Sequence, residues 1–93
     1  MRIIWDKSFR RALRRVVRKN PQLEEKVFST LELLEASPFT PSLKPHKLSG
    51  KLEGFWACSV AYDCRIVYSF ERDADSDDEI ILLIDIGSHD EVY

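Results

Sequence analysis

The spacing of apolar residues changes from helical to strand-like near the middle of the chain. A short β-branched and aromatic run at residues 2–5 predicts a first strand. Apolar residues then recur every three or four positions after Asp6, and again after Asn20-Pro21, where Asn suits a helix cap and Pro a first helical position. From Gly54 the period becomes two, which predicts strands at residues 55–61, 65–70 and 79–86.

These elements predict an α+β fold in the order β-α-α-β-β-β. Two helices separated by so short a break form a helical hairpin. We expect the N-terminal strand and this hairpin to pack on a largely antiparallel β-sheet. The proline-containing segment 37–45 is a loop, because neither side of it could fold alone, so a single domain over residues 1–93 is expected. After Ile86, Gly87 frees the backbone to turn, and the last residues are expected to leave the core on a loop.

Composition narrows the class of protein. Hydrophobic residues make up 44% of the chain and charged residues 32%, a globular balance that excludes a disordered or fibrous chain. No apolar run approaches the ~20 residues that span a bilayer, and the start lacks a signal-peptide pattern, so a cytoplasmic protein is expected. Cys58 and Cys64 are expected to be reduced thiols, because Cys58 faces Val67 across the predicted hairpin. The cysteine and histidine spacing offers no zinc site, so no metal is expected.

The net charge of −2 conceals two oppositely charged halves. Residues 1–50 hold 11 Lys and Arg against 5 Asp and Glu, whereas residues 51–93 hold 3 against 11. A polyanion could dock on the basic half, but the same cations could be only the solvated face of a helix. The cations in question crowd one stretch of the first predicted helix: Arg10, Arg11, Arg14, Arg15 and Arg18.

Three spaced motifs resemble a known family once the order of elements is considered with them. They are His46-x-Leu48-x-Gly50-x-Leu52-x-Gly54-x-Trp56, Asp63-x-Arg65-Ile66-Val67-Tyr68 and His89-x-x-x-Tyr93. Together they resemble the RelE-superfamily toxins of type II toxin–antitoxin modules, closest to the YafQ and YoeB branches. The resemblance covers essentially the whole chain.

The resemblance implies a ribosome-dependent endoribonuclease that cuts mRNA without a metal or cofactor. Its partners are a cognate antitoxin, the ribosome and mRNA; it has no membrane partner and meets operator DNA only through the antitoxin. In this reaction the 2′-hydroxyl attacks the adjacent phosphate and leaves a 2′,3′-cyclic phosphate. Two proton transfers and a pentavalent phosphate must therefore be served by side chains.

The resemblance also implies residue roles. His46 is the expected general base, His89 the general acid, Arg65 the phosphate-stabilising cation, Asp63 the residue that orients a histidine, and Tyr93 the ring that stacks on a base. Without the resemblance, other interpretations stay open. Either histidine could be merely solvated, Arg65 could pair with Asp63 or Asp85, Asp63 could be a turn former, and Tyr93 a frayed end.

Two features depart from the family pattern, and two other functions remain possible. Ser59 stands where the YafQ branch has a second histidine and the YoeB branch an arginine, so one catalytic group is expected to be missing. The pI near 5.6 is low for a protein that docks on ribosomal RNA. Lys47 and Lys51 join the arginines as candidates for binding ribosome or antitoxin. The alternatives are a ParE-like toxin that binds DNA gyrase, and a catalytically inert module that binds an antitoxin.

Overall fold

The computed structural model describes residues 1–92, with the side chains of Asp90 and Glu91 left out. Its strands and α-helices follow the predicted order, with one additional strand and one additional helix. Two short 3₁₀ turns, at Pro41–Leu43 and Gly50–Leu52, flank the additional strand. The bounds of the elements are β1 Arg2–Trp5, α1 Lys7–Lys19, α2 Leu23–Ala36, β2 His46–Lys47, β3 Trp56–Ala61, β4 Cys64–Arg72, β5 Glu79–Gly87 and α3 His89–Val92.

The five strands form one mostly antiparallel sheet in the order β1-β5-β4-β3-β2. Only β1 and β5 pair in parallel; the other neighbouring strands are antiparallel. The predicted α+β fold is thereby confirmed. The sequence did not indicate β2, because a strand of two residues is too short to show a periodic pattern.

The helical hairpin begins much as its sequence predicts. The carboxylate of Asp6 accepts a hydrogen bond from the Ser8 backbone N–H and caps α1. Hydrogen bonds from the hydroxyl and backbone of Ser8 hold the pKa of Asp6 below its usual value. The second helix starts later than expected, at Leu23, because the Leu23 N–H bonds to the Asn20 carbonyl and closes a turn over Pro21.

The core fills the space between the hairpin and one face of the sheet. Alternate residues of the central strands enter this core, which is the period-two pattern that the sequence shows. The helices contribute every third or fourth residue. The largest fully buried side chains are Tyr68, Phe9, Leu34, Ile66, Ile81, Leu83, Ile86, Val27 and Cys58. No helix within residues 1–92 combines the length and apolar character needed to cross a membrane.

A bulge in the β3–β4 hairpin makes one predicted cross-strand pairing, that of Cys58 with Val67, wrong. Ala61 pairs with Cys64, and continuing that register would place Cys58 opposite Val67, as expected. The register shifts between Ser59 and Ala61, so Cys58 faces Ile66 instead. Both cysteines are nevertheless buried, and neither forms a disulfide within residues 1–92.

The C-terminal segment is helical and partly buried, contrary to the expected loop. Residues 89–92 form the short helix α3, whose first internal hydrogen bond runs from the Val92 N–H to the Ser88 carbonyl. The Val92 side chain is only 8% exposed. One helical turn is too short for its apolar period to appear in a sequence, so this packing was missed.

Tyr68→Phe is expected to leave the protein as stable as the wild type, or more stable by up to about 1 kcal/mol. The Tyr68 hydroxyl is buried and has no hydrogen-bond partner among the described residues, and burial raises its pKa. Removing it abolishes the cost of an unsatisfied buried group and changes little else. Urea unfolding measures the difference, with Tyr62→Phe at the 98% exposed Tyr62 as the neutral control. A clear loss of stability in Tyr68→Phe would show that the hydroxyl is bonded in solution.

Candidate functional site

The candidate site lies on the face of the sheet that the hairpin does not cover. Residues that pair directly across antiparallel strands project on the same face. One row of such residues crosses β2, β3, β4 and β5, and its members are His46, Ala57, Val67 and Asp85. Ile66 and Tyr68 point the other way, into the core. His46 therefore opens a row on the face opposite the hairpin, where Ala57 and Val67 are themselves buried.

A second row on this face carries Arg65. Its neighbours across the sheet are Ser59 on β3 and Gly87 on β5. The Ser59 hydroxyl donates a hydrogen bond to the Ala61 carbonyl at 3.3 Å. The position at which the family resemblance led us to expect a missing group is thus directly beside Arg65.

Arg65 is half-buried, and its guanidinium has no carboxylate partner among the side chains that the structure describes. Its Nη1 donates a hydrogen bond to the Tyr62 carbonyl at 3.3 Å. Among the described side chains, Arg65 forms no ion pair within 4.0 Å. The alternative that it pairs with Asp63 or Asp85 is therefore not observed. Most N–H donors of the planar guanidinium group can therefore bind an external anion.

A bulge in β5 brings an acidic side chain to the same face. Val67 pairs with Asp85, but the next pair along is Tyr68 with Leu83, so Ile84 is the extra residue. Without the bulge Asp85 would continue the alternation of Leu83 and face the core. Bulges are common beside functional sites because they redirect a side chain in this way.

His46 sits at the open edge of the sheet. It is exposed, and its Nδ1 lies 3.2 Å from the Lys44 carbonyl oxygen. Lys44 adopts a left-handed backbone conformation with φ 49°, which turns the chain out of the 3₁₀ helix and into β2. The backbone turn at Lys44 thereby places His46 at the start of β2, on the edge of the sheet.

A groove of about 600 Å³ runs beside His46. Both lysines predicted for RNA or antitoxin binding line it, and the Lys47 Nζ also lies 5.8 Å from the centre of the Trp56 ring. Val92 closes one side, so α3 reaches back over the sheet to the His46 edge. The groove is lined by His46, Lys47, Leu48, Ser49, Lys51, Leu52 and Val92.

His89 is the exposed first residue of α3 and is tied to the β3–β4 turn. Its backbone N–H lies 3.5 Å from the Asp63 Oδ1, a long hydrogen bond. Asp63 thus contacts the segment that carries His89, whereas His46 lies at the far edge of the sheet. A smaller cavity of about 180 Å³ adjoins Asp63 and is also lined by Arg15, Lys19 and Ser88.

The spacing of these groups leaves room for a substrate between them. Two strand separations and two residues along β4 place the His46 and Arg65 Cα atoms about 12 Å apart. His89 follows two residues after Gly87, which pairs with Arg65. The two histidines therefore come from different elements, His46 from the edge strand β2 and His89 from the short helix α3.

Other chemistries find less support at the described residues. Burial raises the pKa of the Cys58 thiol to about 12, so this thiol is a poor nucleophile. Within residues 1–92, no group of three or more His, Cys, Asp or Glu is placed to hold a metal ion. Tyr93, the predicted stacking residue, lies outside the described residues.

The whole chain, residues 1–93, matches the family model described as the bacterial toxin YafQ of type II toxin–antitoxin systems. The chain belongs to the YafQ toxin family. The predicted membership of the RelE superfamily is thereby confirmed. A comparison with curated protein sequences found no match.

Solved structures of this family and its relatives share the fold. A YoeB/ParE toxin from Agrobacterium tumefaciens is 21% identical, with 96% of this chain and 99% of that chain covered and a TM-score of 0.75. The E. coli DinJ-YafQ complex contains a chain that is 18% identical, with 100% and 99% covered and a TM-score of 0.78. A metal-bound toxin from Helicobacter pylori is 27% identical, with 100% and 99% covered and a TM-score of 0.70.

The structure divides the predicted arginine surface of this YafQ-family toxin between two flanks of α1. Arg15 lines the cavity beside Asp63, near the candidate site. Arg14 and Arg18 line a different groove, between α1 and α2, and Arg10 lies over the Trp5 ring. Arg11 is exposed and lines neither cavity. A run of charges in a sequence shows a helix face but cannot show which neighbours flank it.

Proposed function

We propose that this YafQ-family toxin is a ribosome-dependent mRNA endoribonuclease that uses no metal. The observation that supports this most directly is Arg65, a half-buried guanidinium on the sheet face opposite the hairpin with no carboxylate partner among the described side chains. A half-buried guanidinium without a carboxylate partner keeps several N–H donors that can bind an external anion. A phosphodiester is such an anion, and the guanidinium fork matches its oxygens.

The reaction needs two proton transfers around that phosphate. His46 takes the proton of the 2′-hydroxyl, whose oxygen then attacks the adjacent phosphorus. Arg65 stabilises the added negative charge of the pentavalent intermediate. His89 gives a proton to the departing 5′-oxygen, which leaves a 2′,3′-cyclic phosphate and a 5′-hydroxyl. Histidine suits both transfers because imidazole exchanges protons near neutral pH.

The charge distribution suits RNA at this end of the molecule despite the low pI. Lys47 and Lys51 line the groove beside His46, and Arg15 and Lys19 line the cavity beside Asp63. The acidic loop follows Arg72, roughly 23 Å along β4 from Arg65. At this separation, salt screens most of the repulsion between the loop and a bound RNA, since the Debye length is near 8 Å.

A cognate antitoxin completes the proposed system. The E. coli relative forms a complex with DinJ, and the fold of that YafQ chain is shared over the full length of this one. A toxin that cuts mRNA must be held inactive while its host grows. We therefore propose that an antitoxin binds this chain and prevents cleavage.

Mapping of RNA ends in a translating extract tests this function. Addition of the purified toxin is expected to produce discrete mRNA cuts that appear only when ribosomes are present and translating. The downstream fragments should accept phosphate from polynucleotide kinase without prior phosphatase treatment, because their 5′ ends are hydroxyls. Fragments with 5′-phosphates would indicate metal-dependent hydrolysis and overturn the mechanism.

The same extract, together with a supercoiling assay, separates the alternative functions. An inert module leaves mRNA intact and translation unaffected. A gyrase-binding toxin also leaves mRNA intact, but it inhibits supercoiling of a relaxed plasmid by purified gyrase. Either result would contradict the proposed nuclease.

A further inference from the structure

An apolar groove with a cationic rim separates the two helices of the hairpin. It encloses about 340 Å³ on the side of α1 that faces α2. Three pairs of residues line it, each pair four positions apart and therefore stacked along a helix. They are Leu13 and Val17, Arg14 and Arg18, and Glu24 and Phe28.

The groove extends toward the N-terminal strand. Phe28 is 44% exposed, and its ring centre lies 6.1 Å from that of Trp5. The Arg10 guanidinium carbon lies 5.3 Å from the centre of the Trp5 ring. Arg10, Arg14 and Arg18 thus form one row that follows the groove for about 12 Å.

The described side chains do not neutralise the arginine row. Among the described side chains, Arg10, Arg14 and Arg18 form no ion pair within 4.0 Å. All three are exposed, as expected of groups that can meet a partner. A ligand that fits this groove must therefore present carboxylates to the arginine row and apolar side chains to the apolar residues that line the groove.

We propose that this groove binds an amphipathic, acidic helix of the antitoxin. Carboxylates spaced four residues apart on such a helix meet the arginine row, and its apolar stripe covers Phe28 and Val17. An RNA strand could satisfy the arginines, but its sugar–phosphate backbone would leave the aliphatic floor hydrated. The identity of the partner as an antitoxin rests on the proposed function.

The position of the groove has a consequence for neutralisation. The helices cover one face of the sheet, whereas His46 and Arg65 lie on the other. A helix seated between α1 and α2 therefore anchors the antitoxin without touching either residue. Binding of the antitoxin and cleavage of RNA can then be separated by substitution.

Fluorescence anisotropy with a designed probe tests the groove. The probe is a labelled peptide of about 18 residues, long enough to form a helix, with leucines on one stripe and glutamates four apart beside it. Phe28→Asp is expected to weaken its binding at least about tenfold, as is the double charge reversal of Arg14 and Arg18 to Glu. Binding to the wild type should also weaken with added salt.

Matched controls lie on the same two helices outside the groove. Leu33→Asp alters another partly exposed apolar residue of α2, and Arg11→Glu reverses another exposed arginine of α1. Both are expected to bind the peptide within about twofold of the wild type, since surface changes outside an interface have small effects. Circular dichroism verifies folding, and the double charge reversal at exposed positions serves if Phe28→Asp does not fold.

Two outcomes would overturn the proposal. One is equal binding of the peptide to the wild type and to both groove variants. The other is binding of a single-stranded RNA oligonucleotide, but not the peptide, that weakens with the arginine reversal and not with Phe28→Asp. The cleavage assay is interpreted separately. A wild type that binds the peptide but cuts no mRNA would contradict the proposed nuclease function and still support the proposed binding groove.

The partner encoded beside this chain's own gene provides the final measurement. Folded Phe28→Asp is expected to cleave mRNA at the wild-type rate and to resist inhibition by that partner, with at least about tenfold more partner needed for half-inhibition. Leu33→Asp should be inhibited like the wild type. Inhibition of both variants at the same partner concentration would contradict the proposal.

Discussion

Replacing either His46 or His89 by alanine is expected to slow mRNA cleavage by about 10²–10⁴-fold. Each substitution removes one proton transfer but leaves the phosphate-binding arginine in place. Both histidines are exposed, so neither change should cost much stability. Single-turnover cleavage on programmed ribosomes measures the rate, and thermal unfolding confirms that each variant folds.

A modified substrate separates the roles of the two histidines. Sulfur in place of the bridging 5′-oxygen makes a better leaving group, which needs no general acid. His89→Ala is expected to recover most of its lost rate on this substrate, whereas His46→Ala is not. Rescue of His46→Ala alone would exchange the two roles. Unchanged rates in both variants on the natural substrate would show that the histidines are only solvated side chains.

Much of the fold could be predicted because long elements repeat their pattern. The helix α1 spans 13 residues, which allows an apolar period of 3.6 to show clearly beside its arginines. The strands β4 and β5 span nine residues each, and their side chains alternate between the two faces of the sheet except at the bulge in β5. The prediction of reduced cysteines did not depend on the exact register, because Cys58 and Cys64 face each other in neither hairpin register.

The features that the sequence did not indicate are the short or irregular ones. The two-residue strand β2 and the one-turn helix α3 are too brief to carry a period. The bulges in β3 and β5 each shift the register by one residue, and a register of this kind depends on the partner strand. The apolar residues that precede Asp85 in β5 could not show that its side chain lies on the sheet face opposite the hairpin.

The same limit applies to the candidate site. Sequence alone placed Arg65 on a strand but left open whether a carboxylate neutralises it. Only the three-dimensional arrangement shows Ser59 and Gly87 as its neighbours across the sheet. The groove beside His46 depends on Val92, which packing of α3 carries back over the sheet. Contacts between residues so distant in sequence have no local signal.

Arg65→Ala is expected to reduce cleavage by about 10²–10³-fold, the usual cost of removing one donor that stabilises transition-state charge. The only described hydrogen bond of its guanidinium is that to the Tyr62 carbonyl, so the loss of stability should be near 1 kcal/mol. Arg65→Lys keeps the charge but not the planar fork, and an intermediate rate is expected. Single-turnover rates and urea unfolding measure the two effects.

Arg72→Ala is the matched control for Arg65→Ala. It removes an arginine from the same strand, where Arg72 lies within 4.0 Å of both Asp77 and Glu79 beside the acidic loop. Exposed ion pairs of this kind contribute little stability, so Arg72→Ala should cleave at the full rate and unfold almost like the wild type. A large rate loss in Arg65→Ala alone, with both variants folded, would locate the phosphate at the Arg65 guanidinium. Equal rates in the two variants would instead make Arg65 a structural residue that supports the Tyr62 turn.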